Sequence, residues 1–289
     1  MPDTKRKQKP HVAIIGAGRL GTTLAVALSR KSYTITSLVA RSVKSARKSA
    51  TLLDEETQVL AAKDLASLRP ADVYLITTPD DQIARVAAQL ARVETKRQPA
   101  ALHTSGALSA EVLAPLRKKG WRTGSIHPLV SVSGSDSALD GAFWSVEGDK
   151  AALRLAKTIV RDLGGKSFSI RSEDKPLYHA AAVMSAGNVV ALFDVALEML
   201  VDCGLSRKMA RSILQPLITS TVESLETKDP AEALTGTFSR GDLETVKRHL
   251  RALKNAKLPE ALELYRVLGK RSLKLSKDHP QITDLLDSV

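Results

Sequence analysis

Residues 12–28 read VAIIGAGRLGTTLAVAL. Val12–Ile15 is a short apolar run rich in β-branched side chains, which predicts a buried strand. Glycines follow at positions 16, 18 and 21, and the spacing beyond them is helical. Strand, glycine turn and helix in that order give each glycine a task. Gly16 permits the tight turn, Gly18 lets the backbone approach a pyrophosphate, and Gly21 lets the helix pack close to its strand. The first turn of the helix, with Ala17, Arg19 and Leu20 around the glycines, then offers free N–H groups to an anion. A lone G-x-G-x-x-G is weak, but here it has the context a dinucleotide fold requires.

That context continues outward. ITSLVA (35–40) reads as a second strand, ADVYLITTP (71–79) and AALHTSG (100–106) as two more, and helical patterns separate them. WRTGSIHPL, AFWSVEG and KSFSI add three strands before residue 171. Strand alternating with helix predicts an α/β fold with a Rossmann-type, doubly wound, mostly parallel sheet. From Ser172 onward only helical periods appear, with candidates at 176–203, 206–226, 229–234, 242–252 and 258–275. The expected organisation is a basic flexible tail (1–10), a nucleotide-binding domain (11–171) and an all-α C-terminal domain (172–289). The stretch from Tyr178 to Leu200 is apolar nearly all round, as in a helix buried in a core or against a partner subunit.

The end of the second strand selects the nucleotide. NAD sites place an acid there to hold the ribose 2′-OH. This chain has Ala40, Arg41 and Ser42, with Lys44 nearby. Arg41 can grip a 2′-phosphate and Ser42 can donate to it, so the pattern predicts NADP(H). Thr77, Thr78 and Pro79 end another strand on the ligand side of such a sheet. Asp80 or Asp81 reads as a helix N-cap.

Candidate chemistry gathers at strand ends and at the start of the helical domain. His103 and His127 end consecutive strands, and Ser105 follows His103 in a loop. Lys175 and His179 are four residues apart, on one face if the helix has begun. Lys or His can polarise a carbonyl or imine or donate to it. Asn188 sits on an otherwise apolar helix face, where an amide needs a hydrogen-bonding partner or a ligand. Arg240, in a turn-rich loop, is either a substrate carboxylate anchor or an exposed side chain. For His103 the competing reading is a structural histidine.

Composition limits the rest. The 289 residues are 43% hydrophobic, enough for two domains with real cores, and only 3% aromatic, which speaks against a stacking platform for sugars or single strands. One cysteine, Cys203, excludes an internal disulfide and is expected to be a small buried hydrophobe, and no metal site is expected. The net charge of +12 is spread along the chain, so a basic surface is favoured over nucleic-acid binding. Asp194 and Glu198 interrupt the most apolar stretch, leaving no run of about 18 uncharged apolar residues, and MPDTKRKQKP lacks a signal-peptide core. A cytoplasmic protein is expected.

Taken together, GAGRLG with a basic second-strand end, HTSG, GSIHPL, KPLYHAAAV and LTGTFSRGD resemble a bacterial family. Its members join a Rossmann-like NADP-binding domain to a helical domain of unknown function (DUF2520 type), and it is similar to pyrroline-5-carboxylate reductases, β-hydroxyacid dehydrogenases and ketopantoate reductases. The resemblance covers nearly the whole chain. It implies an NADP-dependent reductase or dehydrogenase for a small, carboxylated carbonyl, hydroxy-acid or imino-acid substrate. It also implies a 6-phosphogluconate dehydrogenase C-terminal-like helical domain, a homodimer formed through it, and a site in the interdomain cleft. Lys175 matches the catalytic lysine of β-hydroxyacid dehydrogenases, but His179 stands where they carry asparagine, and the loop around Gly236 does not reproduce the Gly- and Thr-rich substrate loop of pyrroline-5-carboxylate reductases. The proton donor is therefore Lys175 or His179, with His127 lining the pocket. The other reading is a sensor that binds NADP without turning it over.

Overall fold

The computed structural model describes residues 9–53, 56–95, 98–132, 139–276 and 279–288. The chain divides into two compact units, Met1–Met184 and Ser185–Val289. The division falls later than the expected boundary at residue 171. Two side chains beyond that boundary, Lys175 and Tyr178, are bonded to strands of the first unit, which keeps their helix with the sheet.

The first unit is an eight-stranded sheet: β1 (Val12–Ile15), β2 (Ile35–Ala40), β3 (Gln58–Ala61), β4 (Val73–Ile76), β5 (Ala100–His103), β6 (Arg122–Pro128), β7 (Phe143–Gly148) and β8 (Lys166–Phe168). Their order is β3-β2-β1-β4-β5-β6-β7-β8. All neighbouring pairs are parallel except β6 with β7. The chain winds outward from β1 to β3, then restarts at β4 on the other side of β1. The crevice at the C-terminal ends of β1 and β4 is thus the switch point where open α/β sheets take their ligands.

Alternate residues of each strand feed two cores. On one face Ile14, Leu38, Leu75, Leu102 and Trp144 pack with Leu24 and Leu28 of α1 (Arg19–Arg30) and Ile159 of α5 (Lys150–Asp162). On the other, Ile15, Val39, Tyr74, Ile76 and Ala101 pack with Ile83, Ala87 and Leu90 of α3 (Asp80–Leu90) and Leu116 of α4 (Ala114–Arg117). The helix α2 (Val43–Ala50) follows β2. Lys9 was expected in a flexible tail, but its ammonium lies 2.9 Å from Asp162 and 4.7 Å from the centre of the Tyr33 ring. Residues 1–8 of that tail lie outside the described residues.

The expected helix 176–203 is two helices, α6 (Lys175–Ser185) and α7 (Gly187–Asp202), separated at Ala186, whose φ of −127° and ψ of −74° are not helical. The run Ser172–Asp202, whose most apolar 18-residue window has a mean hydropathy of 1.8, is long and apolar enough to cross a membrane, although only 6% of that window is buried within the chain. The second unit continues with α8 (Arg207–Thr227), α9 (Pro230–Ala233), α10 (Thr237–Arg240), α11 (Leu243–Asn255), α12 (Pro259–Leu273) and α13 (Pro280–Asp287). Its core joins Val246 and Leu250 of α11, Leu273 of α12, and Ile282 and Leu286 of α13. By contrast α7 and α8 bury little: Val190, Met209, Ile213 and Leu217 are all exposed. Cys203, expected inside, is exposed, because it caps the end of this uncovered α7.

Candidate functional site

The glycine turn is built as its sequence demands. Gly16 has φ of +116°, and a Cβ there would lie 2.6–2.7 Å from the Thr77 carbonyl and the Thr78 nitrogen. Gly16 and Ala17 each donate to the Val39 carbonyl at 2.8 Å, and Thr77 Oγ1 donates to the Gly16 carbonyl at 2.7 Å. A side chain at Gly21 would collide with that same carbonyl, so α1 can lie close over the turn only as it is. Gly18 caps α1 and has open space where a Cβ would point. No acid occupies the first turn of α1, and Arg19 is exposed beside it, with Leu20 half-buried.

At the end of β2, Arg41 is exposed and has no ion-pair partner among the described residues. Ser42 caps α2, its Oγ accepting from the Ser45 nitrogen at 3.2 Å. At the end of β4, Thr78 Oγ1 is buried with no hydrogen-bond partner and Pro79 is the N-cap of α3. An open backbone cradle after β1, an exposed guanidinium after β2 on one side of it and an orphaned hydroxyl after β4 on the other fit a phosphorylated dinucleotide. Asp80 or Asp81 was expected to cap α3, but neither does, because the helix begins one residue earlier, with Pro79 at the cap. Asp80 instead accepts from Ser105 Oγ at 2.7 Å.

Ser105 lies in the loop after β5 and is fully engaged by the protein. Its Oγ also accepts from the backbone nitrogens of Ala107 and Leu108 at 3.2 and 2.9 Å. His103 is likewise committed: Nδ1 accepts from the Ser105 nitrogen at 3.2 Å, and Nε2 lies 3.1 Å from the Ser109 carbonyl. Burial, reinforced by the Lys175 charge, pushes its pKa down to about 3. Neutral, enclosed and with both nitrogens used, His103 braces its loop, the structural of the two roles the sequence left open for it.

Register then assembles the second part of the site. His103 pairs with Ser125 across β5 and β6, so His127 stands two residues further out on the same face. Across β7, His127 pairs with Ser145, whose Oγ is buried and unpartnered. From α6, Lys175 reaches inward. Its side chain is fully buried, with Nζ 2.6 Å from Ser125 Oγ and 3.2 Å from the Ser105 carbonyl. Burial holds its pKa below the usual lysine value, against the opposing pull of Glu147 and Asp80.

Tyr178 and His179 arrive from the same helical turn. The Tyr178 hydroxyl is 2.7 Å from His127 Nδ1, with the rings edge to face at 5.6 Å. The His179 ring meets His127 at 5.5 Å and 82°, and its Nδ1 is buried without a partner. A Cβ on Gly106 would come within 2.9 Å of His127 Nε2 and closer still to His179 Nδ1, so only glycine fits between them. Burial, then the neighbouring His179 and Lys175, lowers the His127 pKa to about 4. Burial raises that of Tyr178 to about 12, against a smaller lowering by the Ser145 hydroxyl.

The structure thus brings together Lys175, His179 and His127, the three expected catalytic residues, and sets beside them Ser105, which was expected on the cofactor, together with Tyr178, Gly106, Ser125 and Ser145. The i, i+3 spacing of Lys175 and Tyr178 was the available signal for the tyrosine. Asn188 and Arg240 belong to the second unit and are exposed, in α7 and α10 respectively.

Two family models match the chain: a Rossmann-like domain over residues 2–128 and a domain of unknown function, DUF2520, over residues 142–272. No curated protein sequence matches it. Among solved structures, a candidate NADP oxidoreductase from Bacteroides fragilis is similar at 24% identity with a TM-score of 0.75, covering 92% of this chain and 99% of its own. A Thermotoga maritima protein is similar at 25% identity and a TM-score of 0.70, over 92% of this chain and 98% of its own. The pyrroline carboxylate reductase of Plasmodium falciparum, solved with NADP bound, is similar at 13% identity and a TM-score of 0.57, over 93% and 99%. The α/β sheet with its glycine turn thus falls within the stretch similar to a Rossmann-like domain, and most of the helices that follow fall within the stretch similar to a DUF2520 domain.

Proposed function

We propose that the chain is an NADP-dependent oxidoreductase that reduces a small, carboxylate-bearing carbonyl or imine. One observation carries this reading: a nucleotide cradle and a cluster of proton-handling side chains sit on the C-terminal ends of the same parallel sheet. Gly16–Gly21, Thr77, Thr78 and Pro79 would hold the pyrophosphate, with Arg41 and Ser42 on the 2′-phosphate. When bound, the reduced nicotinamide supplies a hydride. The protein must then deliver a proton to the atom that gains negative charge. Lys175 is enclosed, so His127 and His179 offer the proton-handling edge, while the lysine disfavours a charged His127 from behind.

The exposed apolar side chains of α7 and α8 support a second proposal, a homodimer formed through them. Met209, Ile213 and Leu217 recur every four residues, so they line one stripe of α8. A stripe of this kind, left in water, fits a second copy of the chain.

Fluorescence titration with NADPH and NADH, on wild type and Arg41→Ala, tests the nucleotide assignment. NADPH should bind more tightly than NADH, and the variant should lose on the order of 10- to 100-fold in NADPH affinity with NADH unchanged, as expected for removing a charge-assisted bond. No binding of either nucleotide would leave the glycine turn purely structural and end the reading. Tight NADPH binding without its oxidation by any carbonyl or imine would leave a nucleotide sensor.

A further inference from the structure

Within the reductase reading, the site contains two imidazoles and leaves open which one gives up a proton and from which nitrogen. His127 and His179 differ in what touches them. His179 Nδ1 is buried and unpartnered, so no protein group orients that nitrogen. His127 Nδ1 has the Tyr178 hydroxyl at 2.7 Å, and the tyrosine ring is in turn packed edge to face against Phe168 at 5.9 Å. The direction of the bond between them follows from its surroundings. If Nδ1–H donated to the phenol oxygen, the phenolic hydrogen would need another acceptor. Among the described residues, His127 Nδ1 is the one partner within hydrogen-bond distance of that hydroxyl. A phenol that donates to Nδ1 has no such orphan.

We infer that Tyr178 is a positioning residue for the reduction: its O–H donates to His127 Nδ1, holds the imidazole as the Nε2–H tautomer and aims that proton at the substrate carbonyl oxygen. The chemistry balances along this line. As the carbonyl carbon gains the hydride, the C=O π pair moves onto oxygen, which takes the proton from His127 Nε2. Nδ1 takes the phenolic proton from Tyr178, and the half-exposed tyrosine recovers one from water. The substrate has then gained one hydride and one proton, and the imidazole is neutral throughout. Every charged or titratable neighbour favours that neutrality. Lys175 and His179 both disfavour a cationic His127, and His103, one strand away, is itself held neutral. The Nε2 edge faces Gly106, where a side chain would come within 2.9 Å of it.

The inference rests on the reductase reading only for its last step, so its test is spectroscopic first. Full-length protein labelled with 15N-histidine and saturated with NADPH is examined by long-range proton–nitrogen correlation, in wild type and Tyr178→Phe. Wild type should show His127 with a protonated Nε2 and a bare Nδ1. The variant should show mixed tautomers while keeping its melting temperature and NADPH affinity. With a panel of 2-oxo acids, aldehydes and cyclic imines, turnover in the variant should fall by about 10²-fold, with KM within about twofold. A protonated Nδ1 in wild type, or a tautomer unchanged in the variant, overturns the inference. The wild-type spectrum decides the first of these even if the variant folds poorly. Absence of turnover by wild type across the whole panel, with the Nε2–H tautomer present, would remove the reductase reading and leave the Tyr178–His127 pairing standing.

Discussion

At Gly106 a single methyl group is enough to disturb two imidazoles. The position has an ordinary backbone conformation, so the cost of Gly106→Ala is steric, against His127 and His179. Overpacking of this kind costs about 1–3 kcal/mol. Denaturant titration should show that loss, while NADPH affinity, set at the other strand ends, should hold. Residue types at the site were partly legible in the sequence. Lys175, His179 and His127 stand out because few side chains can move protons, and their places at strand ends and a helix start narrow the choice. Tyr178 and Gly106 did not stand out. Their importance arises only when the β5–β6 register puts His127 two residues beyond His103 and α6 folds back over it. His103 looked equivalent to His127 in sequence, and only its two internal hydrogen bonds separate them.

At the scale of the element, β5 and β6 each carry a histidine held neutral by burial. The unfolded chain takes up these protons near the ordinary value of 6.5, whereas the folded chain resists until about 4 at His127 and about 3 at His103. Between those limits the unfolded state binds more protons, so stability is complete above pH 6.5 and falls as the pH drops. Each group contributes a slope of up to about 1.4 kcal/mol per pH unit. Urea midpoints measured from pH 7 to 4 should decline accordingly, and replacing His103 by Gln should flatten the decline. Most elements were legible because periodicity and caps agree: Asp149 and Asp242 cap their helices through side-chain bonds, as helix-start residues should. The elements missed were short. Strand β3 has four residues at the edge of the sheet, and α10 and α13 are too brief to show a period. The split of the long apolar helix at Ala186 falls in Ser185-Ala186-Gly187-Asn188, where small and polar residues interrupt the apolar run, but the helical spacing on either side made the stretch read as one helix.

For the whole molecule, the contrast lies between a first unit with two closed cores and a second whose α7 and α8 leave their apolar stripes in water. Sequence alone could rank α7 as buried, but could not say whether the cover comes from the same chain. In the proposed dimer, Ile213→Asp puts a charge into the seam. Sedimentation velocity should then report a dimer for wild type and a monomer for the variant, with nucleotide binding retained in both. A monomeric wild type would refute the assembly, and a variant that changes only its association with detergent micelles would assign the stripe to lipid. The enclosed ammonium of Lys175 has one more consequence. Amine-directed reagents modify surface lysines at once, but this Nζ is sealed behind Ser105 and Ser125 and has no solvent path while the sheet unit stays shut. Its labelling requires the unit to open, and once reagent is concentrated enough that labelling outpaces reclosing, the rate equals the opening rate. Read out by mass spectrometry in that regime, Lys175 is a built-in clock for the opening of the first unit.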